Sequence, residues 1–504
     1  MTAALRRQVE ELIARAGALT PAELPPDTVA HAGLVLADSV GVMCAGARSP
    51  EVVALADDPS LGLTRAPAGP PSARALVPAA LHGTPATVAW LNGTAGTFLE
   101  LDEGFRPTGH PAMHVVPAAL AVAEASGASG AALITAVTAG YEVAARLFES
   151  FVLPHAMHPH GHVGALGAAT AVAVLSGEDP VALARIAATQ PLLTGWDACY
   201  AGASARNTWT GHANRAGVQA GVLHRAGFTG SLASHLSVIA PYVREDSTLT
   251  EPVAADTLRI RRNYFKFHSS CALNHSALDA LRTAWDGLAE RDPLAVRRIE
   301  VTTVSAALRV DRQAEPNALS TRFSLPYAVA TALLTGSTGP ASFAWDPRTA
   351  DFARRVTVTA DPALDERWPD ESPARVILRT ATGSSEASVD NPYGHHSRPA
   401  TREALREKFV ALLTGGAPLA RQEGRDGSEE SAGLEESARS ERSAGAAGPF
   451  TGEERALRGG APAAFVDRRE QLGRVFDALA DPGTTGDCAT LPLPPALPRP
   501  GVPD

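Results

Sequence analysis

The chain has 504 residues, 45% of them hydrophobic, enough to bury more than one sizeable core. Its formal net charge is -10 with no sizeable basic cluster, which argues against a nucleic-acid partner but not against a locally positive pocket for a small anion. The four cysteines (Cys44, Cys199, Cys271 and Cys488) form no CxxC pair, so neither a zinc knuckle nor a disulfide framework is indicated.

The opening residues, Met1 to Ile13, mix charges of both signs with apolar residues at helical spacing and lack the apolar run of a signal peptide. The run near residues 163–175 is too short and too weakly apolar to span a bilayer, so a soluble cytoplasmic protein with no membrane partner is expected. Up to about residue 255 the pattern is helical. Residues 116–126 and 131–147 place Leu, Val, Ile and Tyr at intervals of three and four, and small residues between them predict closely packed helices. After about residue 257 the texture changes. Short β-branched runs at 298–304, 355–359 and 375–379 read as strands, interrupted by helical stretches at 276–288 and 325–334.

The fold class is therefore mainly α. An all-α domain over residues 1–256 and 400–480 is expected beside a smaller α+β domain over 257–399, with helices at 402–413 and 463–479 returning to the first. Residues 415–461 are rich in Gly, Ser, Glu, Ala and Arg and are expected to be a disordered insertion, and the proline-rich tail 481–504 to be loose.

The densest group of reactive side chains is Glu100, Asp102, Glu103 and His110, three carboxylates and a histidine within eleven residues after Asn92-Gly93. Such a group can supply a general base, an acid and an orienting partner. On spacing alone it can equally be a solvated acidic loop followed by a structural histidine. His158, His160 and His162 alternate before an alanine-rich helix; their spacing suits one face of an extended segment, and a tightly packed glycine loop is a simpler reading than a metal site. Arg206 could pair with a carboxylate through its planar fork. Cys271, between Lys266 and His275, reads as a thiol nucleophile or, more simply, as a buried structural cysteine.

Taken together and in order, these segments resemble the MmgE/PrpD (2-methylcitrate dehydratase) superfamily. The matching stretches are Asp38-Ser39-Val40-Gly41, Asn92-Gly93 through Glu103, and His110-Pro111 with Pro117-Ala118-Ala119-Leu120. They continue with Gly140-Tyr141-Glu142-Val143 and Arg146-Leu147, His158 through Gly164, Gly227-Phe228-Thr229-Gly230, Lys266 through His275, and Phe323 through Tyr327. The resemblance covers about residues 5–413. It implies a large helical domain plus an α+β lid with the active site between them, a homodimer, and no metal or organic cofactor. It further implies a lyase acting on a small carboxylate by proton abstraction beside a carboxylate, a dehydratase first. Decarboxylation as in cis-aconitate decarboxylase, epimerisation, or a lapsed carboxylate-binding protein are the alternatives.

Carried over residue by residue, the resemblance makes Glu100, Asp102, His110, His158 and Tyr327 catalytic. His110 or the Glu100/Asp102 pair would be the base, His158 an acid or hydrogen-bond donor, and Tyr327 an orienting group or proton source. Glu103, Arg206, Lys266 and His275 would bind substrate. Glu100 conservatively replaces the family's leading aspartate, and three positions depart further: Gly104 replaces the motif threonine, Arg206 a lysine, and Ser270 a frequent arginine, which bears on how many carboxylates the site can hold.

Overall fold

The computed structural model describes residues 2–67, 69, 71–190, 194–415, 463–482 and 486–494, and is mainly helical. Two large sets of buried apolar side chains organise it. The first lies among the helices Thr2–Gly17, Pro26–Gly46, Pro85–Gly96, Pro111–Ser126, Gly130–Ser150 and Gly164–Ser176, closed by Arg402–Thr414 and Ala463–Ala480. Glycines let two of these helices touch: a Cβ on Gly140 would lie 2.6 Å from the Gly167 carbonyl oxygen, and one on Gly167 2.7 Å from that of Gly140. Pro26–Gly46 and Gly130–Ser150 are long and apolar enough to cross a membrane, but their apolar stretches are 78% and 89% buried inside the protein.

The helix that carries His110 at its start contains an internal proline, Pro117, whose missing N–H orphans the carbonyl of Met113. Asn214, on the Thr208–Arg225 helix, repairs the gap. Its Nδ2 donates to Met113 O at 2.8 Å and its Oδ1 accepts from the Ala118 N–H at 2.9 Å. Asn214→Leu is expected to strand these buried groups and to cost about 1–3 kcal/mol each. Urea denaturation measures it; an unchanged midpoint would refute the repair.

The helical half is not purely α. Two three-residue strands, β1 (Ala73–Ala75) and β2 (Leu81–Gly83), form an antiparallel ribbon. Asn92 secures it, accepting from the Leu76 N–H at 2.9 Å and donating to Arg74 O at 3.3 Å. The ribbon is too short for a strand pattern to show in the sequence.

The second core lies between a four-stranded sheet and the helices His275–Asp286 and Leu325–Thr335. Its strands are β3 (Arg298–Thr303), β4 (Val356–Ala360), β5 (Ala374–Arg379) and β6 (Ser384–Val389), in the order β4-β3-β5-β6. β3 and β4 run parallel and the other pairs antiparallel, with Val301 between Val358 and Val376. The expected strands are β3, β4 and β5. β6 is an additional edge strand, SSEASV, whose few apolar residues hide its alternation.

The change of core falls between Phe267 and Cys271, and again between Val389 and Tyr393, because Phe265, Phe267 and Tyr393 pack into the first core. Cys199 and Tyr200, from the helical half, pack into the second. The stretch after Asp481 is anchored where it is described: Cys488 and Leu491 are buried in the first core, and the Cys488 N–H donates to Ala128 O at 2.8 Å. Two apolar side chains suffice to dock it despite its prolines. Beyond Gly415, the expected insertion lies outside the described residues.

Candidate active site

Both candidate histidines precede a proline, and that pairing sets their positions. Pro111 and Pro159 are pre-shaped for the first position of a helical turn, so His110 and His158 fall at the N-cap positions of Pro111–Ser126 and of the 3-10 turn Pro159–Gly161. The histidine segment is therefore a tight turn, not an extended strand. Its rings pack edge to face: His158 on His160 at 4.4 Å and His160 on His110 and His114 at 5.0 and 4.9 Å between centroids. His162 turns away, towards His235 and His212. Among the described residues no group of three or more His, Cys, Asp and Glu is placed to hold a metal ion.

The acidic stretch is not a solvated loop. Glu100, Asp102 and Glu103 are each no more than 3% exposed. Glu100 adopts a left-handed backbone (φ 51°), rare outside glycine. Its carboxylate meets two cations, with Oε1 2.8 Å from Arg206 Nη1 and Oε2 3.3 Å from Lys266 Nζ. Lys266 Nζ is also 3.8 Å from Asp102 Oδ1, while Asp102 Oδ2 lies 2.8 Å from His110 Nδ1. Burial pushes Asp102 up, but His110, Lys266 and Arg206 together outweigh it and hold the carboxyl below its usual range. Burial works against Lys266 as well, yet Glu100 and Asp102 keep its ammonium charged.

These contacts favour opposite tautomers in the two histidines. His110 Nδ1 faces Asp102 and, at 2.7 Å, the Glu103 carbonyl oxygen, both acceptors, so the tautomer these contacts favour in the neutral ring has its proton on Nδ1 and Nε2 bare. His158 Nδ1 accepts the His160 N–H at 3.3 Å, which leaves the proton on Nε2. Burial, reinforced by Arg206 and His110, pushes His158 well below its ordinary value and keeps it neutral.

Glu100, His110, His158, Arg206 and Lys266 share the wall of one cavity of about 70 Å³, room for a few waters or a small acid at ~10–15 Å³ per water. Trp196, Phe323 and Trp368 supply apolar wall, and Arg106, Tyr264, Cys271 and Arg309 also line it. Burial pushes the Cys271 thiol up to about 11, so it stands there protonated, which disfavours a nucleophile.

Four predicted residues do not reach the cavity wall. Asp102 stands behind it, against His110 and Lys266. The Tyr327 hydroxyl donates to Ala344 O at 3.0 Å and accepts from the Asp346 N–H at 2.8 Å, so it braces a turn. His275 directs Nε2 at the Ser270 carbonyl, 3.1 Å away, and packs edge-on to His268. Glu103 accepts from the Ala112 N–H at 2.6 Å and from the Tyr141 hydroxyl at 3.0 Å, and so caps the helix behind His110.

Burial pushes Glu103 up to about 8 against those two hydrogen bonds. A carboxyl raised on folding binds its proton more tightly in the native state. Its contribution is therefore complete below its unfolded value near 4.5 and is lost as pH rises through about 8. Relative to Glu103→Gln, the wild type is expected to lose up to ~1.4 kcal/mol of stability per pH unit between about pH 5 and 8. Chemical denaturation at a series of pH values tests this; parallel profiles for the two proteins would refute it.

Gly104 and Tyr264 explain each other. They exchange two backbone hydrogen bonds, 3.0 and 2.9 Å, and a Cβ on Gly104 would lie 2.2 Å from the Tyr264 hydroxyl oxygen. The residue that lost a side chain makes room for a hydroxyl brought by another segment. Sequence reasoning passed over Tyr264 and Arg106, which fall just outside the matching stretches: Tyr264 two residues before Lys266, Arg106 between Glu103 and His110.

The small cavity thus sets an imidazole backed by a carboxylate beside two cations. The chain belongs to the MmgE/PrpD family: the MmgE/PrpD N-terminal domain matches residues 10–237 and the C-terminal domain residues 268–431. It is 26% identical to the cis-aconitate decarboxylase of Mus musculus over 359 residues, 65% of this chain and 71% of that protein. It is also 26% identical to that of Homo sapiens over 364 residues, 65% of this chain and 72% of the relative. Family and relatives support a lyase-type function.

Proposed function

We propose that this protein is a lyase that acts on a small polycarboxylic acid at the carbon beside a carboxylate, and that its first reaction is dehydration of a hydroxy acid. The observation that carries this is the placement of His110, its Nδ1 against Asp102, and of His158, its Nδ1 accepting the His160 N–H, on the wall of one cavity; each contact favours the tautomer that gives His110 a bare Nε2 and His158 an Nε2–H. His110 takes the proton from the carbon, and Asp102 balances the imidazolium that forms. Lys266 and Arg206, at the same carboxylate, take up the charge that develops on the substrate. His110 then returns the proton to the departing hydroxyl, which His158 holds by a hydrogen bond. The bond from carbon to oxygen breaks, the double bond forms, and one water leaves. In this reading the cavity is the cleft between the helical domain and an α+β lid.

Decarboxylation is the second reading, favoured by the relatives' activity. There the bond to a carboxylate breaks, carbon dioxide leaves, and a protonated His110 delivers its proton to carbon. Mass spectrometry of reactions with citrate, 2-methylcitrate and cis-aconitate, each with and without EDTA, separates the two. A loss of 18 mass units from a hydroxy acid supports dehydration, and a loss of 44 from cis-aconitate supports decarboxylation. A protein that binds these acids and turns over none would overturn the lyase reading.

A further inference from the structure

Arg106 is a cation that the ion pairs of the cavity leave over. Arg206 and Lys266 share Glu100, and Lys266 also approaches Asp102. Among the described residues Arg106 has no carboxylate within salt-bridge distance, and its Nε and Nη2 are buried with no hydrogen-bond partner. Two aromatic rings hold it instead: its guanidinium carbon is 4.9 Å from the Trp368 centroid and 5.5 Å from that of Tyr264. Those faces stabilise the charge by about 0.5–2 kcal/mol but accept none of its N–H groups in the guanidinium plane. Burial pulls the group down to about 10, so it is still a cation at neutral pH. Donors left without acceptors at a buried charge are costly, and a ligand oxygen in the cavity can supply the acceptor. The clamp is also rigid, because Tyr264 is tied by two backbone hydrogen bonds to Gly104.

We infer that Arg106 is the anchor for a second carboxylate of the substrate, and that it selects acids with two or three carboxylates over monocarboxylates. The inference rests on the reading of this cavity as a carboxylate site. One carboxylate lies by Arg206 and Lys266, next to the reacting carbon. Another meets the edge of the Arg106 guanidinium, and the acid is held at two points across His110. Trp368 and Tyr264 act as positioning residues through Arg106.

The test is calorimetric titration of the full chain with propane-1,2,3-tricarboxylate, glutarate and butyrate, in wild type, Arg106→Gln, Arg106→Lys and Trp368→Leu. Arg106→Gln is expected to weaken the tricarboxylate about 30-fold or more, the loss for a buried charge pair cut on one side, and butyrate by no more than about twofold. Arg106→Lys should recover part of the loss, and Trp368→Leu should show a smaller loss with the same selectivity. Trp368→Leu carries the test by itself if Arg106→Gln does not fold. Equal weakening of all three acids, or none, overturns the anchor while leaving the carboxylate site in place. A wild type that binds none of them overturns both readings.

Discussion

His110→Gln is expected to lower kcat by about 10²–10⁴-fold, the range for a positioned general base, with a far smaller change in substrate affinity. Glutamine keeps polarity near the Asp102 contact but has no titratable nitrogen. Asp102→Asn should follow in the same direction. An amide can present a donor to Nδ1 and so favour the tautomer whose Nε2 is protonated and useless as a base. Asp102 lies below the ordinary carboxylate range, so it stays charged across the working pH and should not itself shape the pH profile. Single-turnover rates of each variant, beside equilibrium binding of the same acid, distinguish lost chemistry from lost affinity. Full turnover in His110→Gln would remove this histidine from the mechanism and return attention to Glu100. That carboxylate has both oxygens beside cations and would have to leave one of them to take a proton.

How far the sequence reveals this site follows from what its pattern encodes. Apolar periodicity marked the helical half and the three strands β3, β4 and β5, because burial on one face repeats along the chain. It could not mark the acidic stretch as buried. The groups that neutralise Glu100, Asp102 and Asp38 are Arg206, Lys266 and Lys408, brought in from more than a hundred residues away. Motif order identified residues near the cavity but not the direction of each side chain. Tyr327 and His275 lie in the matching stretches, yet a backbone N–H and carbonyls hold their polar atoms. Arg106 left no signal because a single arginine in a loop has no period; its meaning appears only with Tyr264 and Trp368 around it.

Lys408→Met is expected to cost about 3–5 kcal/mol of stability, as removal of one partner from a buried ion pair does. Lys408, 1% exposed, sits on Arg402–Thr414 with Nζ 2.7 Å from Asp38 Oδ1 and donates to Leu101 O at 3.0 Å. One ammonium thus joins that helix, the Pro26–Gly46 helix and the loop that carries Glu100 and Asp102. Burial pushes Asp38 up and Lys408 down, each opposed by the other's charge. Without the lysine, Asp38 rises further. A carboxyl raised on folding destabilises more as pH increases, so the deficit of Lys408→Met should be largest near neutrality and shrink as the solution is acidified and Asp38 takes up a proton. Asp38→Leu added to Lys408→Met removes the stranded carboxylate and should restore most of the stability, because an apolar pair can replace a buried ionic one. It should not restore turnover. The Leu101 carbonyl still lacks its donor, and the loop that aims Asp102 at His110 loses its tie. Urea denaturation over a pH series measures the first effect and kcat of the double variant the second. A deficit independent of pH, or a double variant with wild-type kcat, would show that Lys408 only fills space.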